Sequence, residues 1–293
     1  MISKNDLDSL SITVCAEDSV AYESSYLGQH GVSFLLTAQS GDSSRYILVD
    51  VAQNANALLE NMEKMHIAAS CIDAIVITHC HYDHTQGLAT VLKAIGKDNL
   101  PVVVHPDIFR LNFITDPYLR HVGIMKADTR DEIEAAGGVL FPIRDALELM
   151  PGLVTTGEIP RTTDFEEVGI ALYTVLDGKV QSDRMNDDTS VVARIKGKGL
   201  VIITGCSHAG IVNIVKHAVK LTETNQVHGI LGGFHLIDAS ADRIQKTAQA
   251  LQEFNPDWVY AGHCTGFKAQ VELFNVLGDR FSPLHTGIVV EVP

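Results

Sequence analysis

The sequence predicts a layered α/β domain in which two sheets face each other with helices outside. Three observations predict it. Apolar, β-branched runs open the chain in a hairpin-like arrangement, strand-like and helix-like segments then alternate, and this order occurs twice in 293 residues. With 46% hydrophobic residues the chain can bury a sizeable core. No linker or disordered stretch divides it, so residues 1–293 are expected to form a single domain.

Taken in order, Ser11–Cys15, Val32–Leu36 and Tyr46–Asp50 are strands, the last two joined into a hairpin by the turn-rich Ala38–Ser44. Leu58, Leu59 and Met62 give Ala55–Met65 a helical spacing. The apolar run Ile72–Ile77 is a strand, Gly87–Ile95 a helix and Leu100–His105 a short buried strand. Between Asp107 and Ala136 the pattern weakens, with Phe109, Phe113 and Tyr118 scattered among polar residues. Residues 107–136 are expected to be an insertion or lid over a site, with an irregular surface helix pair as the alternative.

Strand signals return in Gly169–Val175, Ser190–Ile195 and Leu200–Thr204, the last two joined by the tight turn Lys196–Gly199. A buried helix follows at Ile211–Val219. The strand Ile230–Gly232, the helix Ala241–Phe254, the strand Trp258–Ala261 and the helix Phe267–Leu277 complete the alternation.

Charge and cysteine usage narrow the function classes. Thirty-six acidic against 22 basic residues give a net charge of −14, and no Lys/Arg cluster is present, which argues against nucleic-acid binding. A small-molecule substrate fits better, and an anionic one stays open because bound cations dominate the local field. Met1–Leu7 lacks a basic and an apolar signal region, and no apolar run approaches the ~18 residues of a membrane span. The five cysteines, at 15, 71, 80, 206 and 264, are odd in number and form no framework, which suits a reducing compartment. A soluble, cytoplasmic protein that binds no membrane is therefore expected.

The chemistry concentrates where the run Ile72–Ile77 ends, in Thr78-His79-Cys80-His81-Tyr82-Asp83-His84. Imidazole and carboxylate are ligands that borderline divalent ions prefer, and a strand running into a loop aims alternate residues at one point. Composition alone can produce His-rich tracts, but burying this many polar groups without a metal or a dense hydrogen-bond network costs several kcal/mol. Cys80, between two such ligands, is expected to point the other way into the core.

Three later histidines stand where apolar strands run out beside glycine: His208 in Gly205-Cys206-Ser207-His208-Ala209-Gly210, His235 in Gly233-Phe234-His235-Leu236, and His263 in Gly262-His263-Cys264-Thr265-Gly266. Each alone can be a polar turn residue, with Ser207 and Thr265 as helix caps. Together they offer ligands from other strand ends. His30 and His105 are candidates for lining a cleft, and Arg161 for gripping an anionic group, although most arginines simply sit at the surface.

The first motif resembles the H-x-H-x-D-H signature of the metallo-β-lactamase fold superfamily. Combined with His30-Gly31-Val32-Ser33, Asp73-Ala74-Ile75-Val76, His105-Pro106, Gly205–Ile211, Gly233–Leu236 and Gly262–Gly266, it is similar to the branch containing the 7,8-dihydropterin-6-methyl-4-(β-D-ribofuranosyl)-aminobenzene-5'-phosphate synthase family. The resemblance covers nearly the whole chain. It implies a four-layer αββα sandwich with a dinuclear site at one edge of the sheets. Carried over, His79 and His81 hold one ion, Asp83 and His84 the other, Cys206 takes the place of the bridging carboxylate, and His235 supplies the final ligand.

Two positions depart from the superfamily pattern. Asn186-Asp187-Asp188-Thr189 offers no His where a separate ligand is expected, so His208 is its substitute, and Cys replaces Asp at the bridge. One or two divalent ions are expected, zinc first, with iron or manganese as alternatives.

Such an ion lowers the pKa of its water towards ~7. The first expectation is thus a metal-dependent hydrolase of an ester or phosphoester, with Asp83 orienting the water and His263 as general acid. The alternative is a transferase condensing a pterin diphosphate with an aminobenzene ribotide phosphate. A non-catalytic metal-binding sensor is the third reading.

Overall fold

Alternation along the strands decides the layering. In the computed structural model, which describes residues 4–168 and 170–293, the strand Gly199–Thr204 is buried at all six positions. Leu200 and Ile202 pack with the helices Ile211–Thr222, Ala241–Glu253 and Phe267–Leu277, while Val201 and Ile203 join Phe34, Leu36, Val49 and Val76 in a core between two sheets. Across that core, Ile75 and Val102 turn outward against the helices Ala55–Lys64 and Leu88–Ile95. Two helix-covered outer cores and one core between sheets make the expected αββα sandwich, because each sheet buries side chains on both faces.

Each main sheet has seven strands. The first runs, in spatial order, Val289–Val292, Ser9–Ala16, Ser33–Ser40, Ser43–Val49, Ala74–Val76, Leu100–Val104 and Gly138–Pro142. The second runs Phe281–Pro283, Trp258–Gly262, Val227–Gly233, Gly199–Thr204, Ser190–Ile195, Leu153–Thr155 and Glu148–Met150. In both, antiparallel hairpins lead into parallel strands linked by helices. The expected connector Ala38–Ser44 is mostly strand: pairing extends to Ser40 opposite Ser43, leaving Gly41-Asp42 as the turn.

The segment 107–136 is not a helix pair. It carries the strands Phe113–Ile114 and Arg120–His121, which join Tyr173–Leu176 and Lys179–Ser182 in a separate four-stranded sheet. The strand expected over Gly169–Val175 begins at Tyr173 and belongs to this small sheet, and Gly169, like Met1–Ser3, lies outside the described residues. Among the described residues no helix is long and apolar enough to cross a membrane.

Candidate metal centre

The parallel strand Ala74–Val76 delivers Thr78–His84 to the edge of the first sheet, and the strands Gly199–Thr204 and Trp258–Gly262 deliver Cys206, His208 and His263 from the second. Close backbone approach makes this meeting possible. A Cβ on Gly205 would lie 2.2 Å from Thr78 Oγ1, and one on Gly31 would lie 1.7 Å from the Asp83 carbonyl oxygen. Gly31 also has φ +99°, a conformation L side chains rarely adopt.

Four clusters of metal-competent side chains result, Cys206–His235–Cys264 and Asp18–His30–His263 among them, and two of the four include residues of the first motif. One atom each from Asp83, His84, Cys206 and His263 lies within 4.8 Å of the others, as do those of His79, Cys206 and His208. His81 lies beside the cluster of His79, Cys206 and His208, its Nδ1 3.2 Å from His79 Nε2 and its ring centroid 4.8 Å from that of His208. His84 Nε2 is 3.1 Å from Cys206 Sγ and 3.4 Å from Asp83 Oδ2, and His263 Nε2 is 3.2 Å from the same oxygen. These separations approach the roughly 3.3–3.4 Å edge expected between nitrogen or oxygen ligands of a tetrahedral ion with bonds of about 2.0–2.1 Å.

The donor chemistry fits an ion as well. Both ring nitrogens of His208 are buried and have no hydrogen-bond partner, an arrangement that costs free energy unless a cation satisfies one of them. Burial, reinforced by neighbouring rings, holds His79 and His208 well below the usual imidazole range, and burial takes His81 down to about 4 against the pull of Asp83. All three are therefore neutral, the form a metal requires. Burial opposes charge on the Asp83/His84 pair too, yet mutual attraction wins: Asp83 is held well below the carboxylate range by His84 and His263, while Asp83 and Asp50 lift His84 to about 9. Burial, with Cys264 against it, pushes the Cys206 thiol well up, so its use as a thiolate depends on a bound cation.

A surrounding shell fixes the rings. Asp50, wholly buried, accepts from Thr78 N, Thr78 Oγ1 and His84 Nδ1, each at 2.7 Å. His81 Nε2 meets Asn112 Oδ1 at 3.2 Å, and Asn112 in turn donates to Asp183 at 2.8 Å. Asp18 uses both oxygens, one 3.0 Å from His30 Nδ1 and the other 2.5 Å from His263 Nδ1. With one nitrogen of each ring so engaged, the other is left for an ion or the cleft. Asp18 and Asn112 carry no motif around them, and Asp50 ends an ordinary strand run, so only the fold reveals their part.

The remaining candidates divide. His235 is brought to Cys206 and Cys264, its ring centroid 4.2 Å from that of His208, but it is His263 that stands with Asp83 and His84. The strands Val227–Gly233 and Trp258–Gly262 are parallel neighbours with Gly233 opposite Gly262, so the two histidines leave adjacent strand ends, both with left-handed φ, and sequence position does not rank them. His30 lines the cleft, its Nε2 3.6 Å from Asp83 Oδ2. Arg161 does not line it: its guanidinium donates to the His208 carbonyl at 2.7 Å and to the Arg184 and Met185 carbonyls. Its charge is spent holding the loop that carries His208. His105 pairs with Glu158 at 2.9 Å, away from the cleft, and Cys80 is buried in the outer core.

Above the ligands the cleft is walled by Ile114, Val122, Ile170, Leu172 and Ile237, with Tyr82, Arg120 and Asp238 at its polar side. The clustered donors are thus candidates for holding divalent ions, and the cleft they line is partly apolar.

Comparison with known proteins agrees. The model of the beta-lactamase superfamily domain matches residues 45–146. Over 288 residues, 97% of each chain, the sequence is 38% identical to the 7,8-dihydropterin-6-methyl-4-(β-D-ribofuranosyl)-aminobenzene-5'-phosphate synthase of Methanocaldococcus jannaschii. It is 31% identical to an uncharacterized protein of the same organism, across 94% of this chain and 98% of the other. Among solved structures, Tm1679, a metal-dependent hydrolase of the beta-lactamase superfamily, is similar at a TM-score of 0.80 and 25% identity, with 97% of this chain and 99% of that one covered. The chain is thus an enzyme of the metallo-β-lactamase superfamily, and it belongs to the family of the 7,8-dihydropterin-6-methyl-4-(β-D-ribofuranosyl)-aminobenzene-5'-phosphate synthase.

Proposed function

We propose that the chain is a synthase like its 38% identical relative, joining a dihydropterin that carries a methylene diphosphate to 4-(β-D-ribofuranosyl)aminobenzene 5'-phosphate. Likeness along 97% of both chains carries this reading, which displaces the hydrolase as the first expectation. The arylamine nitrogen attacks the exocyclic methylene carbon, a C–N bond forms as the C–O bond to diphosphate breaks, and the nitrogen loses its extra proton.

His79, His81 and His208 would hold one divalent ion and Asp83, His84 and His263 a second, with Cys206 common to both sets. Zinc suits the imidazole and thiolate donors, with iron and manganese as alternatives. When bound, such ions supply positive charge to an anionic leaving group. Asp50, Asn112 and Asp18 keep the liganding nitrogens aimed. His30 Nε2, with Nδ1 fixed by Asp18, is placed to take the proton released by the amine. The apolar side chains of Ile114, Val122 and Leu172 would disfavour water beside a bound substrate, which favours an amine over water as nucleophile.

Hydrolysis is the second reading, favoured by the likeness to a metal-dependent hydrolase at 25% identity. Purified, zinc-loaded protein distinguishes the two. For a synthase, diphosphate release and coupled product, followed by mass spectrometry, require both substrates together. Equal diphosphate release from the pterin substrate alone, yielding the hydroxymethyl pterin, would show a hydrolase instead.

A further inference from the structure

We propose that Arg120 is the docking point for the 5'-phosphate of the aminobenzene ribotide. The assignment rests on the synthase reading and adds to it which end of the acceptor lies where. Three observations carry it.

The first is charge. Asp18, Asp83 and Asp238 line the cleft, and Arg120 is the sole Lys or Arg among its lining residues. A chain of net charge −14 repels a phosphorylated substrate unless a cation meets each phosphate. The metal ligands answer for the diphosphate, whereas the ribotide phosphate lies a benzene ring and a ribose away from the reacting amine and needs a partner of its own.

The second is availability. Arg110, Arg144 and Arg194 are paired to carboxylates, and Arg161 is turned to backbone carbonyls. Arg120 is exposed, lies near enough to Tyr82 for its charge to act on the phenol, and has no carboxylate partner among the described residues. A guanidinium in that state presents its donor fork to phosphate oxygens.

Position is the third. Arg120 lies on an edge strand directly opposite Ile114, which lines the apolar wall, and Tyr82, flanked in the chain by His81 and Asp83, lines the same cleft. An acceptor laid along Ile114, Val122 and Leu172 thus has its amine over the metal ligands and its phosphate at the rim.

Steady-state kinetics of the full, zinc-loaded chain test this, with the ribotide and its dephosphorylated riboside as alternative acceptors. Arg120→Ala is expected to raise KM for the ribotide about ten- to hundredfold, the loss typical of a charged hydrogen-bonded contact. KM for the riboside and for the pterin diphosphate stay unchanged, and Arg120→Lys falls between. If Arg120→Ala keeps the wild-type preference for ribotide, or weakens the pterin diphosphate instead, the assignment is overturned while the synthase reading stands. Wild-type protein that couples neither acceptor overturns the synthase reading and this assignment with it.

Discussion

Replacing Asp50 with Asn tests whether the buried shell sets metal affinity. The side chains are nearly the same size, and Asn tolerates the left-handed backbone that Asp50 adopts at φ +57° better than Ala does. Oδ1 can still accept from Thr78 N, as it does at 2.7 Å. The new amide donates where Oδ2 accepts from both Thr78 Oγ1 and His84 Nδ1 at 2.7 Å. Thr78 can rotate its hydroxyl. His84 cannot escape: either Nδ1–H faces a donor, or the ring changes tautomer and presents N–H to the ion. Leaving one or two buried donors unpaired costs about 1–3 kcal/mol each, so a loss of roughly 1–6 kcal/mol in stability is expected. Metal affinity should fall about 10–100-fold, as for the loss of other partners that orient liganding histidines. Competition against a chromophoric zinc chelator, with calorimetric melting alongside, measures both. Wild-type affinity in a folded Asp50→Asn protein would refute the reasoning.

Three further outcomes follow from the same geometry. His208→Ala should bind one ion fewer by metal analysis, and unchanged metal content would count against its place in the centre. Arg161→Ala should lower metal affinity about tenfold by freeing the His208 carbonyl while leaving substrate KM unchanged; a raised KM with normal metal content would return Arg161 to anion binding. Burial, with Asp187 beside it, lifts the Asp188 carboxyl to about 7, against 3.8 in the unfolded chain. The unfolded state therefore ionises first, and stability of the metal-free protein falls as pH rises between those values, by up to roughly 4 kcal/mol. Asp188→Asn removes that cost, so its advantage in thermal melts should be absent below pH ~4 and full above pH ~7; an advantage independent of pH would count against the shift.

Legibility in the sequence tracked how local each interaction is. His79, His81, Asp83 and His84 declare themselves because six residues at one strand end carry them all. The hairpins and the strand–helix alternation are legible for the same reason, since the periods of two and 3.6 are properties of short windows. The small sheet is only half legible: a strand signal marks Gly169–Val175, but its partner Phe113–Ile114 is two residues long, has no pattern of its own and lies some sixty residues away. Asp18 and Asp50 escape notice because the order of strands, not spacing in sequence, brings them to the ligands. The choice between His235 and His263 depends on which of two neighbouring strand ends faces Asp83, a matter of sheet twist and register that a Gly-His pattern does not encode.

Cys206 and His84 meet across 122 residues of chain and across the apolar seam between the two sheets. Every polar donor of the first half stands on one side of that seam, and Cys206, His208 and His263 stand on the other. The cluster of Asp83, His84, Cys206 and His263 draws on both halves, so it is assembled only when they dock. An ion bound there would tie the halves together and stabilise the folded state by binding it in preference to the unfolded chain. Such an ion would be a clasp between the two halves of the sandwich.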